Sequence, residues 1–289
     1  MSTPANNAYV NPNSLVSTAW LAERLTSPDI RVVDATYYLP VQGKNARAEY
    51  EARHIPGAVF FDIDEIADTS VPLPHMLPSP EKFSSRMRKL GLGDGNKIVV
   101  YDAHGMMSAA RVWWTFRAFG HRDVAILDGG LPKWIAEGRP VDDVLPHPRE
   151  RHLTARFNNF LVRDKEQVRA NIASKREQLV DARSAARFQG AEPEPWPGRR
   201  SGHVPGSFNV PYTDLLNPAN KTFLPAERIR ARFQQAGVDL DKPVICSCGS
   251  GVTACVLAFA LHLVGDENVA VYDGSWSEWG LPGDTPIEP

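Results

Sequence analysis

The chain has 289 residues, 43% of them hydrophobic and 23% charged, with a formal net charge of −2. That length exceeds one ordinary small domain and suggests about two, of soluble globular composition. The near-neutral balance gives no general attraction to nucleic acid or to anionic membranes, and no run approaches the ~18 apolar residues that span a bilayer.

Residues Met1 to Asn13 are polar and lack the apolar core of a signal segment, so the expectation is a cytoplasmic protein with no membrane partner. Three cysteines are too few and too odd in number for a disulfide framework, which agrees with a reducing compartment. Cys246-Ser-Cys248 lacks the spacer and the partner ligands of a zinc site, so no metal is expected.

Taken in order, the pattern predicts a helical opening over Ser14 to Leu25, a strand over Arg31 to Asp34 and a helix from about Ser79 to Leu90. A strand over Lys97 to Tyr101, a helix around Ser108 to Phe119 and a strand over Val124 to Leu127 follow. Asp128-Gly-Gly130 then opens a short helix at Trp134. Strands alternating with helices argue for an α/β fold with a parallel sheet covered on both faces.

The second half repeats the first. Leu179-Val-Asp-Ala-Arg183 answers Val32-Val-Asp-Ala-Thr36, Gly202-His-Val-Pro-Gly206 answers Arg53-His-Ile-Pro-Gly57, and Val271-Tyr-Asp-Gly-Ser-Trp276 answers Ile126-Leu-Asp-Gly-Gly-Leu131. A repeat of this length implies two like domains, placed at residues 12–142 and 161–289. The proline-interrupted stretch 143–160 is expected to be the linker. A shift of 145 aligns the two Asp-Gly pairs and lays Ala103 on Cys248, so the first copy is expected to lack a nucleophile.

Cys248 is the reactive candidate. It follows the apolar run Val244-Ile245 and opens the loop Cys248-Gly-Ser-Gly-Val-Thr253, which leads into a helical segment. Gly249 and Gly251 leave the backbone N–H groups free to turn inward as an anion nest, and the helix start adds partial positive charge. Both effects favour a thiolate and would hold an anion bonded to its sulfur. Cys246 and Cys255, one within the strand and one within the helix, read as buried structural thiols. A cysteine phosphatase would need an arginine closing the loop, where Ala254 stands.

Arg53-His-Ile-Pro-Gly57, Gly202-His-Val-Pro-Gly206, Arg111-Val-Trp-Trp114, Phe119-Gly-His121, Asp128-Gly-Gly130, Tyr272-Asp-Gly-Ser-Trp276 and the Cys248 loop carry a resemblance. Over nearly its whole length the chain resembles the two-domain rhodanese superfamily of sulfurtransferases, whose fold is two tandem domains, each a mostly parallel sheet flanked by helices. The loop looks like that of members using 3-mercaptopyruvate. Members using thiosulfate, the alternative donor, more typically carry Arg and Lys after the cysteine.

The charge argument agrees with the resemblance, because a dianionic donor suits cations in the loop and Gly249 and Ser250 offer none. The resemblance implies a Cys248 persulfide, no cofactor, and a thiol acceptor such as thioredoxin or a small thiol. It further implies Arg187 as the substrate arginine, with Gly249, Gly251, Val252 and Thr253 around the bound sulfur. A second arginine expected downstream falls on Trp196, so Arg199 or Arg200 is the substitute. Asp64 and His75 match positions that form a proton relay with Ser250. A non-catalytic interaction module is the remaining alternative, and the presence of Cys248 counts against it.

Overall fold

The computed structural model describes residues 8–267 and 269–289. They cluster into two compact units, an N-terminal unit of Asn13–Asn159 with Ala219–Thr222, and a C-terminal unit of Phe160–Pro218 and Phe223–Pro289 with residues 8–12.

The N-terminal unit carries β1 (Leu15–Val16), β2 (Ile30–Asp34), β3 (Val59–Phe60), β4 (Lys97–Tyr101) and β5 (Val124–Leu127). Its helices are α1 (Thr18–Ala22), α2 (Ala46–Ala52), α3 (Ile63–Ile66), α4 (Pro80–Lys89), α5 (Ser108–Ala118) and α6 (Gly130–Ala136). The C-terminal unit carries β6 (Val162–Arg163), β7 (Gln178–Asp181), β8 (Phe208–Asn209), β9 (Val244–Ser247) and β10 (Val269–Tyr272). Its helices are α7 (Lys165–Ser174), α8 (Ala185–Phe188), α9 (Ala226–Gln235), α10 (Ala254–Leu263) and α11 (Ser275–Trp279).

The two sheets run β1-β5-β4-β2-β3 and β6-β10-β9-β7-β8, so corresponding strands occupy corresponding places. Every pairing is parallel. Strands β5, β9 and β10 are buried along their length, as expected of strands covered on both faces. Helix α10 is buried at all its positions, matching a sequence that is apolar around its whole circumference. The aromatic core of the C-terminal unit gathers Tyr272, Trp276 and Trp279 around Ile245 and Leu179.

Two expectations change. The helical opening divides: Leu15–Val16 pairs with β5 as an edge strand, and the helix begins only after Ser17, whose side chain accepts the Trp20 N–H. The stretch 143–160 is no free linker, since residues through Asn159 belong to the N-terminal unit. Leu153 is buried there, the Arg156 N–H donates to the Phe119 carbonyl at 2.8 Å and the Thr154 hydroxyl donates to Asp94 at 2.7 Å. Its prolines interrupt helix and strand but do not prevent it from packing on the surface.

The strand registers also correct the alignment of the halves. Asp34 stands opposite Tyr101, while its counterpart Asp181 stands opposite Ser247. Tyr101 is therefore the counterpart of Ser247, and the next residue, Asp102, is the counterpart of Cys248. Ala103 lies one place beyond. The same backbone bond marks both positions, from the Leu131 N–H to the Asp102 carbonyl at 3.0 Å and from the Trp276 N–H to the Cys248 carbonyl at 2.9 Å. Helix α5 has 11 residues and α10 has 10; an ungapped shift anchored after the helices misplaces the loop before them by one.

Candidate active site

Strand β9 ends at Ser247, and Cys248 sits at its carboxyl end, where parallel α/β sheets bind ligands. The residue is 1% exposed. Its N–H donates to the Ser275 hydroxyl at 3.2 Å, and Ser275 donates in turn to the Tyr272 carbonyl at 2.8 Å. The Ser277 N–H donates to the Gly249 carbonyl at 2.7 Å. The start of α11 thus grips the loop from below. Gly251 has φ +76°, a left-handed conformation that glycine adopts without steric cost, and it reverses the chain ahead of Val252 and Thr253 at the entry to α10. Ser250 and Val252 are buried, and Thr253 is half-buried.

Sequence reasoning missed Ser275. It has φ +48°, a conformation costing a residue with a Cβ roughly 1–2 kcal/mol. Its counterpart in the N-terminal unit is Gly130, at φ +53°. The serine accepts strain that glycine avoids and gains a hydroxyl for the Cys248 amide. The replacement of Asp128-Gly-Gly130 by Asp273-Gly-Ser275 was the available signal.

Both other cysteines are buried, one in the strand and one in the helix. Burial pushes the Cys246 thiol well above its ordinary value, and the Cys255 Sγ donates to the Gly251 carbonyl at 3.2 Å.

The N-terminal unit shows what this loop does with an anion. The Asp102 carboxylate is fully buried and accepts the N–H groups of His104 at 2.9 Å, Met107 at 2.8 Å and Ala109 at 2.8 Å. An acidic side chain at the nucleophile position has turned the loop amides onto itself, as in an anion nest.

Arg187 lies in α8, one of whose amides is capped by Ser184. A Cβ placed on Gly249 would fall 2.8 Å from Arg187 Nη2 and 3.9 Å from Nη1, so the guanidinium lies against the loop where a side chain would otherwise be. Glu194, also missed from sequence, accepts from Arg187 Nη2 at 2.5 Å and from Nε at 3.3 Å. Glu194 also accepts from Arg183 Nη1 at 2.8 Å, and Arg183 is paired with Asp181 at 2.7 Å and stacked 4.4 Å from the Trp276 ring centroid. Burial alone would lower the Arg183 pKa, but the two carboxylates outweigh it and hold the value above normal.

The two candidates for a second arginine part ways. Arg199 Nε donates to the Ser277 carbonyl at 3.0 Å and Nη1 to the Pro197 carbonyl at 2.8 Å, which places it one residue removed from the loop. Arg200 is a correction. Its guanidinium bonds the Trp279 and Thr285 carbonyls at 3.1 Å and also the Thr285 hydroxyl, so it clasps the C-terminal segment and is spent on structure.

In the N-terminal unit, buried His75 has Nε2 3.2 Å from Asp64 Oδ1 and packs edge-on against Tyr37 at 4.7 Å between centroids. Its φ of +62° is uncommon for a residue with a Cβ. Among the described residues no helix is long and apolar enough to cross a membrane, and no cluster of metal-ligating side chains occurs.

Comparison with known proteins agrees with this architecture. The rhodanese-like domain model matches residues 17–137 and 164–281. Human 3-mercaptopyruvate sulfurtransferase is 45% identical over 272 residues, covering 92% of this chain and 91% of that protein. Rat thiosulfate sulfurtransferase is 47% identical over 273 residues, with the same coverage. The crystal structure of Escherichia coli SseA, described as a 3-mercaptopyruvate sulfotransferase, superposes with a TM-score of 0.84 at 40% identity, covering 91% of this chain and 98% of that one. With one domain match in each half of the chain, and with relatives matching over about nine tenths of its length, the chain belongs to the rhodanese family.

Proposed function

We infer that the protein is a sulfurtransferase that takes sulfur from 3-mercaptopyruvate through a Cys248 persulfide and passes it to a thiol acceptor or to cyanide. The observation that carries the choice of donor is the loop itself. Identities of 45% and 47% to relatives named for the two donors do not separate them. The residues after the nucleophile do: Gly249 and Ser250 bring no cation, and the charge beside the loop is Arg187, already forked by Glu194. One partly balanced guanidinium suits a monoanionic keto acid better than dianionic thiosulfate.

In the first half-reaction the Cys248 thiolate attacks the donor sulfur while Arg187 holds the donor carboxylate. The sulfur–carbon bond breaks, its electron pair passes to the enolate of pyruvate, and the proton of the donor thiol balances the enolate as it becomes pyruvate. The outer sulfur is held by loop amides between Gly249 and Thr253, in the manner of the Asp102 carboxylate on its own loop. In the second half-reaction an acceptor thiolate, thioredoxin or a small thiol, attacks that sulfur and returns Cys248 as thiolate. All electrons stay on sulfur and carbon, so the chemistry calls for no cofactor.

Ser250 in the C-terminal unit and the His75–Asp64 pair within the N-terminal unit are proposed as groups that handle this proton. His75→Gln should lower kcat with 3-mercaptopyruvate and leave turnover of thiosulfate unchanged, because departing sulfite needs no proton on carbon; equal loss with both donors would remove His75 from proton handling. A cytoplasmic location completes the reading, with cell fractionation as its test.

The deciding experiment is kcat/KM for 3-mercaptopyruvate and thiosulfate with one acceptor, alongside Cys248→Ala. Preference for 3-mercaptopyruvate that disappears in Cys248→Ala is the expected result. Preference for thiosulfate would refute the donor assignment and leave the persulfide standing.

A further inference from the structure

We propose that Glu194 positions Arg187 and, by balancing its charge, sets the preference of the site for a singly charged donor over a doubly charged one. This rests on the reading above that Arg187 holds the donor's negative group.

Glu194 has a side chain only 1% exposed, between an Arg187 side chain at 22% and an Arg183 side chain at 0%. An acidic side chain so deeply buried is stable only when paired, and this one is paired twice. It takes Arg187 by Nε and Nη2, the side-on edge of the guanidinium that carboxylates ordinarily occupy. The end-on edge, Nη1 with Nη2, is the one that meets the Gly249 position, at 3.9 and 2.8 Å from a Cβ built there. A donor carboxylate at the loop is thereby confined to the end-on edge, in one orientation.

The carboxylate of Glu194 is itself fixed. Arg183 binds it by Nη1 at 2.8 Å, while the rest of the Arg183 guanidinium is held by Asp181 and by the Gly202 carbonyl at 2.9 Å. Asp181, Arg183, Glu194 and Arg187 form one chain of ion pairs whose formal charges cancel. A donor with one negative charge leaves the cluster at −1, and a donor with two leaves it at −2. The second charge would lie roughly 7 Å from the Glu194 carboxylate; at an effective dielectric constant of about 40 the repulsion amounts to about tenfold in binding. Glu194 holds Arg187 in place and also limits how much negative charge it will accept.

The test is steady-state kinetics with both donors on three variants, with folding followed by thermal denaturation. Glu194→Gln keeps a hydrogen-bonding oxygen and removes the charge. The ratio of kcat/KM for thiosulfate to that for 3-mercaptopyruvate should rise about tenfold, chiefly through a lower KM for thiosulfate. Glu194→Asp keeps every charge of the buried cluster but withdraws the carboxylate by about one carbon–carbon bond, and should move the ratio the same way by about 1.4-fold. An unchanged ratio in whichever of these variants is folded overturns the proposal, since a merely structural residue would weaken both donors alike. Arg187→Gln separates this failure from failure of the underlying reading. A raised KM for 3-mercaptopyruvate in Arg187→Gln with an unmoved ratio in the Glu194 variants sinks the proposal alone, whereas an unchanged KM in Arg187→Gln sinks both.

Discussion

Removing the Asp102 carboxylate should loosen the N-terminal unit and open an anion site where none is free now. The group is fully buried and accepts three amide N–H groups at 2.8–2.9 Å. Asp102→Ala strands those donors at about 1–3 kcal/mol each. Part of that loss is recovered because a carboxylate need no longer be desolvated and because water can enter the vacated space. A net loss of about 3 kcal/mol follows, or roughly 6–12 °C in the melting of a unit this size. Asp102→Asn, though isosteric, should be at least as damaging, because an amide nitrogen can accept none of these bonds and would face amide donors. Sulfate should partly restore Asp102→Ala: if it binds the emptied cradle with a Kd of about 1 mM, about 10 mM adds about 1.4 kcal/mol. Differential scanning calorimetry with and without sulfate reads both effects. A wild-type melting temperature in Asp102→Ala, or equal sulfate stabilisation of both proteins, would refute the view that this loop is a cradle filled by its own side chain.

Three further expectations bear on other parts of the molecule. Ser275→Gly relieves the strain at φ +48° and removes the hydroxyl that meets the Cys248 N–H; stability should change by less than about 1 kcal/mol while kcat falls, measured by melting and by single-turnover persulfide formation. Arg200→Ala should lower stability by about 2 kcal/mol, through lost bonds to the C-terminal segment, and leave KM for 3-mercaptopyruvate unchanged; a raised KM at unchanged melting temperature would return Arg200 to the substrate site. Glu137, bonded by Lys133, Thr18 and Arg139, has its carboxyl lowered from 4.5 to about 2, chiefly by Lys133. A depressed folded value gives stability that is present above the unfolded pKa and lost as pH falls toward 2. With a side chain 33% exposed, solvent screening reduces the contribution to about 1 kcal/mol. Glu137→Gln should therefore be less stable than wild type at pH 7 and equal to it near pH 2, by denaturant titration at each pH.

The strands were legible because parallel strands buried on both faces are continuous apolar runs: Lys97–Tyr101 and Val124–Leu127 appear with the expected ends. The opening was not, because Leu15 and Val16 pair with a strand more than a hundred residues away, a contact no local periodicity carries. Cys248 and the glycines of its loop were legible because their chemistry is local. Glu194 was hidden because a glutamate in a proline-rich stretch reads as surface, and only the fold places it between Arg183 and Arg187. Asp102 was hidden by a single residue of helix length, which a register of hydrogen bonds resolves and a motif alignment does not.

That one-residue correction changes what distinguishes the units. With Ala103 in the nucleophile position, the N-terminal loop would be an emptied site; with Asp102 there, it is a site occupied by its own chain. Sheet order, strand direction and the bond from the following helix to the strand-end carbonyl are the same in both units, so none of them decides reactivity. The difference lies in the side chain offered to the loop. A carboxylate has no leaving group and no nucleophilic sulfur, and once its oxygens accept the amides of His104, Met107 and Ala109 no second anion can displace it without leaving a buried acidic group unpaired. A cysteine at the same strand end is an anion only when deprotonated, and a stronger one when it carries a second sulfur. A loop whose amides stabilise a fixed charge in one unit can therefore stabilise a transient one in the other, and on the proposal above Arg187 with Glu194 decides which donor delivers it.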